Sequence, residues 1–278
     1  MKIILVGYGN VGKEIHEVLS EQGLSVDFVV RTGGIYNSTD SKLDGPENFH
    51  KYVDKDSVVF ISTPSVGKGE LSAKYYKKSL EAGAKVITCE KAFLPNNWNV
   101  VLNYPGRIKY SATVGGDSGI LDAVADYEGE MAEIRAVING TLNYIGERLA
   151  NGATKEEVYS EVTGKGFAEP GARNFEEVID GEMRDVLYKA VILANYSKLF
   201  NHIITPTDVE VKKYVDGRRC SLFINKDKIM VGFISIPAEF KFPKGINNCL
   251  YINNQKIIEG PGAGGRATAE RMFKDFAK

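Results

Sequence analysis

The sequence predicts an α/β protein of two domains, a parallel-sheet domain first and an α+β domain second. Three observations carry this prediction. The chain opens on a short apolar run, Ile3 to Val6, followed at once by Gly7-Tyr8-Gly9-Asn10-Val11-Gly12 and a helical pattern. Strand-like and helix-like segments then alternate up to Tyr110, the mark of a parallel sheet. Beyond that point helices dominate, and from Cys220 to Ile258 short alternating runs with turn signals suggest antiparallel strands. The expected boundaries are 1–125 for the first domain, 126–257 for the second, and 258–278 for a segment returning to the first.

Strand, G-x-G-x-x-G, helix is the order of the dinucleotide fingerprint and identifies the first domain as Rossmann-type. Its glycines permit a tight turn, close approach to a pyrophosphate and close helix packing. The helix N-terminus then faces the phosphates, so Gly7, Gly9, Asn10, Val11 and Gly12 are candidate cofactor contacts. A glycine-rich turn without a ligand is the alternative. A second strand is expected over Ser25 to Val30. At the end of this strand, about twenty positions after the glycines, NAD enzymes carry an acidic residue for the ribose 2′-hydroxyl. Here Arg31-Thr32 occupy that place. Arginine cannot accept that bond but can pair with a 2′-phosphate, which points to NADP over NAD unless Arg31 is simply solvated.

The next expected units are a strand at Val58 to Ile61 running into Ser62-Thr63, a helix from Glu70 to Leu80, and a strand at Lys85 to Thr88 running into Cys89-Glu90-Lys91. Ligands of open parallel sheets bind at the carboxyl ends of strands, where Ser62, Thr63 and Lys91 fall; a surface role is the other reading of Lys91.

In the second domain the stretch Asp185 to Ala194 reads as a helix. From Val186 onward every residue except Lys189 is apolar or aromatic, so this helix is expected to be buried. Burial disfavours an amine's charged form, which makes a lone lysine there a candidate to exchange a proton near neutral pH. Asp185 lies four residues earlier on the same face; an ordinary surface ion pair is the bland alternative. Further expectations are a strand at Ile134 to Ile138, a helix opened by Asn139-Gly140-Thr141, a capping box of Thr154 with Glu157, and a closing helix from Arg266 to Phe276. The glycine loop Gly260 to Gly265 before it could hold an anion or could be a plain return to the first domain.

Composition narrows the class further. At 278 residues, 43% hydrophobic and 26% charged, the chain is ordinary globular protein long enough for two cores. A net charge of −1, with 35 basic and 36 acidic residues, gives no nucleic-acid footprint. Lys77-Lys78 and Arg218-Arg219 are too short to form binding patches. No run approaches the ~18 apolar residues of a membrane span, and the N-terminus is unlike a signal peptide, so a cytoplasmic protein is expected. Cys89, Cys220 and Cys249 are scattered and read as reduced. His16, His50 and His202 lie in no triad or zinc spacing.

Taken together, the glycine fingerprint, Glu90-Lys91-Ala92, Ala112-Thr113-Val114-Gly115-Gly116, Asn139-Gly140-Thr141-Leu142-Asn143-Tyr144, Gly166-Phe167-Ala168-Glu169-Pro170, Asp185 with Lys189, and Gly260 to Gly265 resemble the motifs of homoserine dehydrogenases in that family's order. The resemblance spans nearly the whole chain. It implies interconversion of L-homoserine and L-aspartate 4-semialdehyde with NADP or NAD, in the aspartate-derived route to threonine and methionine. By position it implies Lys189 as the proton-transferring residue, Lys91 as a second catalytic lysine, and Glu169, Asp185 and Thr141 as substrate contacts. Cofactor contacts would extend to Ser62, Thr63, Lys91 and Gly262. A monovalent cation, Na+ or K+, would sit on backbone carbonyls of Ser111, Val114, Gly116 and Ser118, and the protein would be a homodimer through its second domain. Three positions depart from the family pattern: Ser111 replaces the usual Glu, Met183 the usual glycine before Asp185, and Gly171-Ala172 stand where an acidic residue is usual. Neither the regulatory domain nor the fused kinase of some relatives is expected. The alternatives are an NAD(P) sensor without turnover and a dehydrogenase of another small amino acid.

Overall fold

The computed structural model describes residues 1–168, 171–262 and 264–278. It divides into two compact units, Met1–Thr113 with Gly264–Lys278, and Val114–Ala263.

In the first unit, strands β1 (Lys2–Val6), β2 (Phe28–Arg31), β3 (Gly34–Asn37), β4 (Lys42–Asp44), β5 (Ser57–Ile61), β6 (Lys85–Thr88) and β7 (Ile108–Lys109) form one sheet among the described residues, in the order β4-β3-β2-β1-β5-β6-β7. From β2 to β7 the pairings are parallel. The nearly unbroken burial of β1 and β5 is what a sheet covered on both faces requires. Helix α1 (Asn10–Glu21) places Ile15, Val18 and Leu19 in a core shared with Ile3, Leu5, Val29, Val58 and Phe60. Helix α2 (Glu70–Glu81) and the short helices α3 (Phe93–Asn96) and α4 (Asn99–Asn103) follow the later strands. The sheet is not wholly parallel as expected. Once past Arg31 the chain turns back as a hairpin, and β3 and β4 pair antiparallel. The second strand also starts later than expected, at Phe28 rather than Ser25.

The second unit contains helices α5 (Ile120–Ala125), α6 (Gly140–Ala150), α7 (Lys155–Gly164) and α8 (Phe175–Ser197). Its sheet runs β13-β12-β8-β10-β11-β9, with β8 (Glu133–Val137), β9 (Val209–Lys212), β10 (Ser221–Asn225), β11 (Lys228–Gly232), β12 (Asn247–Ile252) and β13 (Gln255–Pro261). Pairing is antiparallel except between β9 and β11, and the strands from Cys220 to Ile258 are antiparallel to their partners within that stretch as expected. Helix α8 runs 23 residues, well beyond the ten apolar ones that announced it. Asn174 caps it by accepting from the Glu177 amide, and from Ala190 to Ala194 its residues are completely buried. The Thr154 and Glu157 capping box opens α7.

The observed unit boundaries lie away from 125 and 257, for a packing reason. Helix α5 rests on α8 and β13, and β13 is paired along its length with β12. Both therefore stay in the second unit, and the return to the first comes only with α9 (Gly265–Ala277), which buries Ala269 and Met272 in the core under α1. Among the described residues no helix is long and apolar enough to cross a membrane. Cys89, Cys220 and Cys249 are free and buried.

Candidate active site

In the first unit the sequence-chosen residues fall at the carboxyl ends of neighbouring strands. Gly7 to Gly12 form the turn from β1 into α1, Arg31 ends β2 with Thr32 next, Ser62 and Thr63 follow β5, and Lys91 follows β6. Two of the three glycines are demanded by the fold itself. Gly7 has φ +92, and a Cβ on it would stand 2.7 Å from the Ser62 carbonyl oxygen. A Cβ on Gly12 would stand 2.3 Å from the Gly7 carbonyl oxygen. Gly9 differs, because a Cβ there would meet nothing within 4 Å. Its lack of a side chain has no internal cause and fits the close approach of a pyrophosphate. Helix α1 has neither a side-chain cap nor an acidic residue in its first turn, so its leading N–H groups and positive dipole end suit an anion. The buried Thr63 hydroxyl has no hydrogen-bond partner, a further polar group suited to a ligand. Ser62 Oγ donates to the Gly7 carbonyl at 3.1 Å and holds the turn.

Arg31 is partly exposed, with its side chain 32% accessible, but it is not left to solvent alone. Its guanidinium lies over the Tyr8 ring at 4.6 Å and the Tyr36 ring at 4.7 Å, and one nitrogen meets Asp40 Oδ1 at 2.7 Å.

Sequence reasoning passed over the residue that shapes the Lys91 loop. Glu90 is fully buried, and its carboxylate accepts from the Ala92 amide at 2.7 Å, the Phe93 amide at 3.0 Å and Ser72 Oγ at 3.2 Å. The Lys91 amide itself donates to Ser65 Oγ at 2.8 Å. Burial pushes the Glu90 carboxyl up, against the pull of those donors. The spacing from Glu90 to Phe93, an acid three residues before a first helical turn, was the available signal.

In the second unit four side chains form one network. Asn139 follows β8 and caps α6, its Oδ1 accepting from the Leu142 amide at 2.8 Å. Its Nδ2 donates to Glu182 Oε2 at 2.6 Å and to Asp185 Oδ2 at 2.9 Å. Asp185 Oδ2 in turn lies 2.6 Å from Lys189 Nζ, which also donates to the Ile138 carbonyl at 2.9 Å. The Lys189 side chain is only 8% exposed, so this is not the exposed i,i+4 pair that was the bland alternative. Glu182, Asp185 and Lys189 share a face of α8 at spacings of three and four. Glu182 and the amide of Asn139 were not singled out beforehand, although Glu182 stands one turn before Asp185 in the pattern.

Around this network, Thr141 lies in the first turn of α6 and donates to the Phe167 carbonyl at 2.9 Å. Gly140 is glycine because a Cβ would stand 2.4 Å from the Ile246 carbonyl oxygen. Asn143 donates to the carbonyls of Pro243 and Gly245, each at 2.9 Å, and so fastens the loop before β12. Glu169 lies outside the described residues.

The remaining candidates are split by the unit boundary. In the first unit Ser111 accepts from Arg271 Nε at 2.8 Å, and its amide donates to Asp275 at 2.9 Å. In the second, Val114 is buried, Ser118 Oγ donates to the Gly115 carbonyl at 2.6 Å, and Gly116 has φ +56. Gly262 donates its amide to the Ile246 carbonyl at 3.2 Å, and a Cβ on it would stand 2.3 Å from the Asn248 side chain.

The first unit has the sheet and the pyrophosphate-ready turn of a Rossmann-type dinucleotide-binding domain, and the second carries a buried lysine and carboxylate pair. The sequence profile of the homoserine dehydrogenase family matches residues 124–229. The chain is 26% identical over 291 residues to the homoserine dehydrogenase of Sulfurisphaera tokodaii, covering 95% of this chain and 93% of that one. Among solved structures it shares its fold with homoserine dehydrogenase from Thermoplasma acidophilum, at TM-score 0.80 and 22% identity over 100% of this chain and 98% of that one. A hyperthermophilic archaeal homoserine dehydrogenase in complex with NADPH also has this fold, at TM-score 0.80 and 22% identity over 100% and 96% of the two chains. The chain is thus similar to homoserine dehydrogenases in sequence and in fold along nearly its whole length.

Proposed function

We propose that this protein interconverts L-homoserine and L-aspartate 4-semialdehyde with a nicotinamide cofactor, in the route from aspartate to threonine and methionine. The observation that carries the reading is the buried Lys189 and Asp185 pair, held at 2.6 Å and braced by Asn139. When bound, the nicotinamide takes or gives the hydride. The protein's own task is to move the hydroxyl proton and hold a zwitterionic substrate. Lys189 is the acid in the reductive direction and the base in the oxidative one. Asp185 keeps Lys189 oriented and, with Glu169, meets the substrate ammonium. Thr141 lines the substrate's place, and Lys91 balances negative charge on the substrate or its developing oxyanion.

The glycine turn, Ser62, Thr63 and Gly262 hold the cofactor. Arg31 favours NADP over NAD, because a guanidinium pairs with a 2′-phosphate and cannot accept from a 2′-hydroxyl. A monovalent cation on the carbonyls of Ser111, Val114, Gly116 and Ser118 is consistent with the left-handed glycines at 115, 116 and 119. We further infer a homodimer through the second unit, whose edge strand β9 exposes Val211, followed in the chain by the exposed Val215.

The test is nicotinamide absorbance with purified protein, L-homoserine and either NADP or NAD, with and without Na+ or K+. Homoserine-dependent reduction is expected, faster with NADP. Cofactor binding without turnover would overturn the reading in favour of a sensor or a different substrate.

A further inference from the structure

Arg31 closes β2, and what surrounds it is built by the hairpin that follows. Tyr36 on β3 sits opposite Val29, two residues before Arg31, so its ring lies diagonally across the same sheet face. Tyr8, in the glycine turn, also packs on the guanidinium, its ring centroid 4.6 Å from Arg31 Cζ. Two tyrosine rings thus pack on the guanidinium, and its N–H groups are what it offers to an anion.

The turn from β3 to β4 brings an acid to one of those edges. Asn37 Oδ1 gathers the amides of Thr39 and Ser41 and the Thr39 hydroxyl, and the Asp40 amide donates to the Asn37 carbonyl at 3.0 Å. Asp40 takes a left-handed conformation at φ +63, which aspartate tolerates better than most residues. Its carboxylate meets Arg31 Nη2 at 2.7 Å, while the buried Arg31 Nε finds no acceptor. The fork is therefore incompletely used. Asp40 itself is 67% exposed, so the pair is of the weak, solvent-screened kind.

We infer that Asp40 is a specificity-determining residue: an internal anion seated on Arg31, which the 2′-phosphate of NADP must displace and which a cofactor without that phosphate leaves in place. The inference rests on the reading that Arg31 takes the 2′-phosphate. A phosphate carrying nearly two charges and three acceptor oxygens outcompetes one exposed carboxylate for a guanidinium fork. Asp40 therefore lowers affinity for NADP without touching that for NAD, and narrows the margin between the two.

The experiment titrates adenosine 2′,5′-bisphosphate and 5′-AMP against the wild-type protein, Asp40→Asn, Asp40→Gly and Arg31→Ala, with circular dichroism to confirm folding. Asn and Gly both accept a positive φ, so the turn is retained in both variants. Both Asp40 variants are expected to bind the bisphosphate more tightly, roughly fivefold, the scale of losing one exposed ion pair. Their affinity for 5′-AMP stays unchanged, and the gain shrinks at high salt. Unchanged bisphosphate binding in the Asp40 variants, with weakened binding in Arg31→Ala, would overturn the role of Asp40 alone. Weaker 5′-AMP binding in the Asp40 variants would also overturn it, making Asp40 a ribose acceptor instead. If Arg31→Ala binds the bisphosphate as well as wild type, the reading of Arg31 itself falls and the role of Asp40 with it.

Discussion

Asn139 donates to the Asp185 carboxylate across 2.9 Å and ties the first turn of α6 to the middle of α8. The same nitrogen donates its second hydrogen to Glu182 at 2.6 Å. One neutral amide thus stands between two carboxylates of α8, and its oxygen caps a helix at the same time.

Asn139→Ala removes all three bonds. The lost cap and the undersatisfied carboxylates together are expected to cost about 2 to 4 kcal/mol, read as a lower urea midpoint. Asn139→Asp keeps an oxygen for the cap but sets a third carboxylate against the other two. It is expected to be the worse variant at pH 7, and to recover relative to wild type as the buffer is made acidic. An Asn139→Asp variant as stable as wild type at neutral pH would rule out the two amide donations as structural supports.

The three glycines of the nucleotide turn should separate by assay. Gly12→Ala forces a Cβ to within 2.3 Å of the Gly7 carbonyl, so melting temperature falls along with affinity, at about 1 to 3 kcal/mol of overpacking. Gly9→Ala has no neighbour within 4 Å to strike. Its melting temperature should match wild type, while NADP affinity drops by roughly tenfold or more, equivalent to about 1.4 kcal/mol. Full cofactor affinity in Gly9→Ala would mean that no phosphate lies against that residue.

What could be read from the chain follows from how local each signal is. The β1 to α1 turn is written in consecutive residues, and the buried stretch of α8 announces itself by being apolar on every side. The Glu182, Asp185 and Lys189 face needs only helical spacing, yet Glu182 escaped notice because a glutamate on a helix is usually solvated. The Arg31 environment was out of reach. It depends on an antiparallel hairpin, β3 and β4, whose tip residues bond among themselves through Asn37, and nothing in their order says that Asp40 returns to Arg31. The ends of the two compact units are non-local in the same way: α5 and β13 join theirs by long-range packing on α8 and β12, which no local composition shift records.

Glu90 gives the first unit a pH signature. Burial is the leading influence and raises its carboxyl above the ordinary value of 4.5, while the Phe93 and Ala92 amides and the Ser72 and Ser65 hydroxyls oppose it. A raised folded value means that the native state holds a proton which the unfolded chain has released. The associated stability is complete below about pH 4.5 and is lost as pH rises through the folded value. Glu90→Gln carries no such proton. The stability of wild type minus that of Glu90→Gln should therefore fall as pH rises from 4 toward neutral, by up to about 1.4 kcal/mol per pH unit within the window. A difference that stays flat or rises would contradict the buried placement of this carboxylate.

Lys189 is the residue on which the proposed chemistry turns, and two substitutions separate its proton from its charge. Lys189→Ala removes the acid and leaves Asp185, with a side chain 14% exposed, without its cation. Turnover is expected to fall about 10²- to 10⁴-fold, the usual share of a positioned acid or base. Some stability is lost as well, because a nearly buried carboxylate loses its partner. Lys189→Arg keeps a cation beside Asp185 but cannot release a proton near neutral pH. It should therefore hold most of the stability while losing turnover to a similar degree. Cofactor affinity should be unchanged in both, since the partners of Lys189, Asp185 and Ile138, are not among the proposed cofactor contacts. Steady-state kcat, a melting curve and a cofactor titration on the same preparations decide it. Near-native kcat in Lys189→Arg would assign proton transfer to another group and leave Lys189 only the task of neutralising Asp185.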